Sequence, residues 1–148
     1  MLVPQILVLQ LDQELCRWDF NLIQCPHTRF KLFNSAKPLI KYTNDWLKIT
    51  ENEPGLIIIS SHGMSGKLFT RSGIEPVEEF LDQLFPLKNK TVHFSACSTL
   101  RMSDRSLKRL VTRTDAHIMS GYQKIISSTE SAQVESYLLG RIQCHNRL

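Results

Sequence analysis

The sequence has no Cys-x-x-Cys pair, and its five histidines show no His-Glu-x-x-His or related spacing. A zinc site, structural or catalytic, is therefore not expected. No apolar run approaches the ~20 residues that cross a bilayer. The stretch from Met1 to Leu11 has neither a basic leader nor a small-residue cleavage site. The expectation is a cytoplasmic protein with no membrane association. The glycine-rich phosphate loop of nucleotide-binding α/β domains is missing too. After the first apolar run stands the acidic Asp12-Gln13-Glu14, which weakens a nucleotide-binding reading. Repeats and low-complexity tracts are also absent.

Cysteine is sparse and dispersed, at Cys16, Cys25, Cys97 and Cys144. A chain of 148 residues is long enough for one sizeable core without disulfide staples and too short for two. One domain spanning 1–148 with free thiols is expected. The net charge of +4 is a mild basic bias. It concentrates only at Lys88-Asn89-Lys90 and in the series Arg101, Arg105, Lys108, Arg109 and Arg113. That series falls on an expected helix, where a solvated face is the simpler explanation. Nucleic acid is thus not the expected partner.

What the chain does contain is an alternation of strand-length apolar runs and helical stretches. Gln5 to Leu11 reads as a central first strand, and Asp12 to Thr28 as a loop or short helix. Arg29 to Phe33 alternates basic and apolar residues and suits an edge strand. Asn34-Ser35 then opens a helix to about Thr50, with Leu39, Ile40, Thr43, Trp46, Leu47 and Ile49 at helical spacing. A third strand, Leu56 to Ser60, is followed by a small hairpin-like excursion around Leu68 to Gly73. A helix opens at Glu75-Pro76-Val77, with Val77, Phe80, Leu81 and Leu84 inward. The fourth strand begins at Thr91. A helix from Ser103-Asp104 carries Leu107, Leu110 and Val111 inward, and Ala116 to Ser120 is a fifth strand. A last helix starts near Ser127-Ser128-Thr129-Glu130, which resembles a capping box, and runs through Val134, Tyr137, Leu138 and Ile142. This alternation predicts an α/β fold, a three-layer α/β/α sandwich with a mostly parallel sheet in the order 2-1-3-4-5.

In that order the third and fourth strands are neighbours, and each stops on a reactive side chain. Leu56 to Ser60 runs into Ser61-His62-Gly63, and Thr91 to Phe94 runs into Ser95-Ala96-Cys97-Ser98. Parallel strands joined by a helix present their carboxyl ends on one edge, where open α/β sheets bind ligands. His62 and Cys97 are expected to face one crevice, where an imidazole can take the proton of a thiol. His93 lies on the same strand face as Cys97 but about 13 Å back along it. It reads as a core histidine, not the base.

A strand ending in His-Gly, a helix, and a strand ending in small-Ala-Cys together resemble the catalytic signature of caspase-like cysteine peptidases. Ser61-His62-Gly63 and Ser95-Ala96-Cys97-Ser98 are most similar to the bacterial CHAT-type branch. Caspases themselves carry Gln-Ala-Cys before a basic or polar residue and Gly. The resemblance covers roughly Leu39 to Leu139. It implies an endopeptidase with Cys97 as nucleophile and His62 as proton carrier, acting on protein or peptide substrates through a thioester. An oxyanion hole would come from the backbone N–H groups of Gly63 and Cys97. Ser95, two residues before the nucleophile, would line the primary specificity pocket. Ser120, Gly121 and Tyr122 would form another substrate wall, with packing of Tyr122 on the last helix as the alternative. The resemblance also suggests an activating protein partner and a setting in bacterial defence or regulated proteolysis. No metal or organic cofactor is implied. Two other readings stay open: a catalytically silent caspase-like interaction module, and a flavodoxin-like ligand-binding domain.

Overall fold

In a computed structural model the described residues are 5–11 and 28–145. The stretch expected to be a loop or short helix after the first strand lies, apart from Thr28, outside them. Five strands form one sheet: β1 (Gln5–Gln10), β2 (Thr28–Leu32), β3 (Gly55–Ser60), β7 (Lys90–Ser95) and β8 (Ile118–Gly121). Their order is β2-β1-β3-β7-β8, and every neighbouring pair is parallel. This is the 2-1-3-4-5 order expected for the main strands. The helices are α1 (Ala36–Ile49), α2 (Val77–Asp82), α3 (Asp104–Thr114) and α4 (Ser128–His145). None is long and apolar enough to cross a membrane.

The central strands are apolar on both sides because both sides are covered. Leu7, Leu9, Ile57, Ile59, Val92 and Phe94 pack with buried residues of α1, α2 and α3, whereas Ile6, Val8, Leu56 and Ile58 pack with Leu139 of α4. A strand buried on two faces loses the apolar-polar alternation and reads as a continuous run. Each such side chain contributes about 1.5–3 kcal/mol on burial. β2, at the edge, is the exception and is largely half-buried or exposed.

Between β3 and α2 the expected excursion is a separate three-stranded antiparallel sheet, β4 (Gly63–Met64), β5 (Lys67–Thr70) and β6 (Gly73–Pro76). It changes one expectation. Glu75 and Pro76 pair with Leu68 and Lys67 as strand residues, so α2 opens at Val77. Two helix faces also differ from their patterns. Ile49 is 76% exposed at the end of α1. On α4, Val134 and Tyr137 face solvent, while Ser131, Glu135 and Leu139, spaced by four, turn inward. The capping box is as expected. The Ser127 N–H donates to the Glu130 carboxylate at 3.0 Å, and the Glu130 N–H donates to Ser127 Oγ at 3.2 Å.

Lys90 leaves the basic Lys88-Asn89-Lys90 cluster altogether. Its side chain is 1% exposed and its ammonium donates to the carbonyls of Thr50, at 2.6 Å, and Glu53. It also lies over the Trp46 ring. A cation so held anchors the α1–β3 turn and has no reach toward a phosphate.

Candidate active site at the carboxyl edge of β3 and β7

β3 and β7 end in register, Ser60 opposite Ser95, so the chain leaves both at the same edge. The Ser61 N–H still donates to the Ser95 carbonyl at 3.3 Å, and the Ser61 hydroxyl donates to the His62 carbonyl at 2.5 Å. The His62 side chain is exposed. Its carbonyl accepts from Phe69 N–H at 2.9 Å, which ties the residue to the small sheet. Cys97 is a free, half-buried thiol two residues beyond β7, where Ser98 takes a left-handed conformation with φ 53°.

The two loops meet at Gly63. A Cβ there would lie 2.5 Å from both the Cys97 carbonyl and Thr99 Oγ1, and 3.0 Å from the Ala96 Cβ. Only glycine permits that approach. The backbones of the two expected oxyanion residues are thus in direct contact. The Gly66 N–H donates to the Ser98 carbonyl at 3.4 Å, a second link between the loops.

A third segment closes this edge. After β8, the carbonyls of Tyr122 and Lys124 accept from the N–H groups of Leu100 and Ser98, each at 3.1 Å. The Cys97 thiol donates to the Ile126 carbonyl at 3.6 Å. The expected substrate wall therefore does adjoin the Cys97 loop, but the carbonyl of its Tyr122 already serves that loop.

The expected wall side chains turn elsewhere. The Ser120 hydroxyl is 2.9 Å from Nδ1 of His93, and the Tyr122 hydroxyl donates to Glu135 at 3.4 Å. Tyr122 takes the packing role on the last helix and meets the His93 ring edge-on at 5.5 Å between centroids. Gly121 packs against Leu100 and Phe94, with no room for a Cβ. The Ser95 side chain is fully buried, and its hydroxyl, like that of Ser60 opposite, has no hydrogen-bond partner among the described residues. His93 is buried in the core, as its strand position implied, and lies beneath α4.

Glu135 and Ser131 were not signalled by the sequence. A polar residue on a helix is read as solvent-facing unless its partner, for Glu135 the distant His93, is known. Among the described residues no group of three or more His, Cys, Asp or Glu is placed to hold a metal ion. No family model matches the chain, and no curated protein and no solved structure matches it.

Proposed function

We propose that the chain is a caspase-like, CHAT-type cysteine endopeptidase working through a His62/Cys97 dyad. The observation that carries the reading is the contact of Gly63 with the Cys97 carbonyl at the shared carboxyl edge of two adjacent parallel strands. In this mechanism the Cys97 sulfur gives up its proton to His62 and attacks a peptide carbonyl. The carbonyl oxygen gains charge against backbone N–H groups of Gly63 and Cys97. The C–N bond then breaks, and His62 returns the proton to the leaving amine. Water, deprotonated by His62, cleaves the remaining thioester and frees the carboxylate and the thiol. Each step uses groups at this one edge, and the substrate is a protein or peptide of the cytoplasm.

Cleavage of a fluorogenic peptide library by the parent, Cys97→Ala and His62→Ala proteins tests the proposal. Turnover is abolished in Cys97→Ala and falls about a hundredfold or more in His62→Ala. Turnover retained in folded Cys97→Ala overturns it. The bond from the thiol to the Ile126 carbonyl favours a second reading, a silent relative kept as an interaction module. That reading predicts no turnover in any of the three proteins.

A further inference from the structure

The sheet ends at β8, which among the described residues pairs with β7 alone. Its outer backbone edge has no strand partner there, and such an edge is a template for an added strand. Beside it, between β8 and α3, runs a cleft of about 630 Å³. Leu100, Leu107, Val111 and Met119 line it, with Lys108 and Thr112 at its rim. Exposed apolar side chains stand at both ends of the strand. Ile118 is 50% exposed where β8 begins, and Ile125 is 82% exposed beyond its end.

The basic series of α3 and the turn before it divides in two. Arg109 and Arg113 turn to α2, where Arg109 reaches Glu78 at 3.4 Å and Arg113 reaches Asp82 at 2.8 Å. Their charge is spent within the fold. Arg101, Arg105 and Lys108 are exposed and make no ion pair among the described residues. Arg105, Lys108 and Thr112 follow one another at helical spacing and share a side of α3. Asp104, in the first turn of α3, is the one acidic residue of that helix. The cleft is therefore apolar inside, with the Lys108 cation at its rim and Arg105 one turn away on the same side of α3.

A second copy of this chain, set edge to edge about a two-fold axis, would bring Lys108 and Arg105 of each copy toward those of the other. An acidic strand meets them with opposite charge. We propose that the β8 edge is a docking site for an extended acidic peptide. The peptide adds as a further strand, places apolar side chains in the cleft and sets carboxylates against Lys108 and Arg105. Its affinity does not depend on thiol chemistry at Cys97.

The test is fluorescence anisotropy of the full chain with two labelled octapeptides, one alternating Glu with Val and the other Lys with Val. The acidic peptide binds saturably, weakens as salt is raised, and loses about tenfold or more in affinity to Lys108→Glu/Arg105→Glu. The basic peptide does not saturate. Equal binding of both peptides, or unchanged affinity in the folded double variant, overturns the proposal. Self-association of the parent that disappears in the double variant also overturns it, because the edge then serves a second copy. Should the double variant fail to fold, the salt series and the peptide pair on the parent decide.

Discussion

Nε2 of His93 lies 3.5 Å from Oε1 of Glu135, and both side chains are almost completely shut off from solvent, at 2% and 3% exposure. The two residues join the middle of β7 to the last helix. Ser120 and Tyr122, expected to face substrate, complete the cluster. A buried polar pair is poor value as a source of stability against well-packed apolar residues, yet breaking it from one side is costly. Glu135→Ala is expected to destabilise the protein by about 3 kcal/mol, whereas His93→Leu/Glu135→Leu lies nearer the parent. Urea denaturation of the three proteins measures this. A double variant no more stable than Glu135→Ala would show that the loss does not come from leaving His93 buried without its partner.

Gly63→Ala tests the meeting of the two loops. The new methyl group would sit against the Cys97 carbonyl, a backbone atom that cannot swing away. The Cys97 loop must shift, at a cost of about 1–3 kcal/mol. Both a lower thermal midpoint and a changed rate of Cys97 alkylation are expected. An unchanged value of each would mean that the approach is not that close.

At the start of α4, hydrogen bonds from the Ser127 backbone and side chain hold the Glu130 carboxyl below its ordinary pKa, against a small opposing desolvation. The folded form therefore prefers the carboxylate. The stability from this cap is fully present above the ordinary carboxylate range and is lost as pH falls through the lowered value. Glu130→Gln should remove that acid-side dependence. Ser127→Ala should cost about 1 kcal/mol. Thermal unfolding as a function of pH measures both.

Lys90 gives a dependence of the same sign at the alkaline end. Burial lowers its pKa, with the Glu53 charge opposing. Between the lowered folded value and the ordinary lysine range the unfolded chain binds more protons, so stability rises with pH in that window. Lys90→Met should flatten the rise, as read from urea midpoints in mildly alkaline buffers. An identical alkaline slope in parent and variant would contradict the assignment.

Much of the scaffold was legible because its signals are local. The apolar runs at Ile6 to Leu9, Leu56 to Ile59 and Val92 to Phe94 are doubly buried strands, and the Ser127/Glu130 cap lies within one turn. What escaped depends on distant partners. Glu75 and Pro76 have the look of a helix start, but pairing with β5 takes them into a strand. Lys90 reads as a surface charge until the carbonyls of Thr50 and Glu53 enclose it. Around the site, the ending of β3 and β7 in register as parallel neighbours followed from strand order. The turning of Ser120 and Tyr122 toward His93 and Glu135 did not, because Glu135 has no local feature that marks it as buried.

The central claim is that His62 activates Cys97 for attack. Its most direct test is the rate of alkylation by an iodoacetamide or acyloxymethyl ketone probe, resolved residue by residue by mass spectrometry, in the folded parent and in His62→Ala. The account predicts rapid modification of Cys97 over Cys16, Cys25 and Cys144, lost on denaturation and slowed about tenfold or more in His62→Ala. Uniform slow labelling of all four thiols, or an unchanged Cys97 rate in folded His62→Ala, would contradict it.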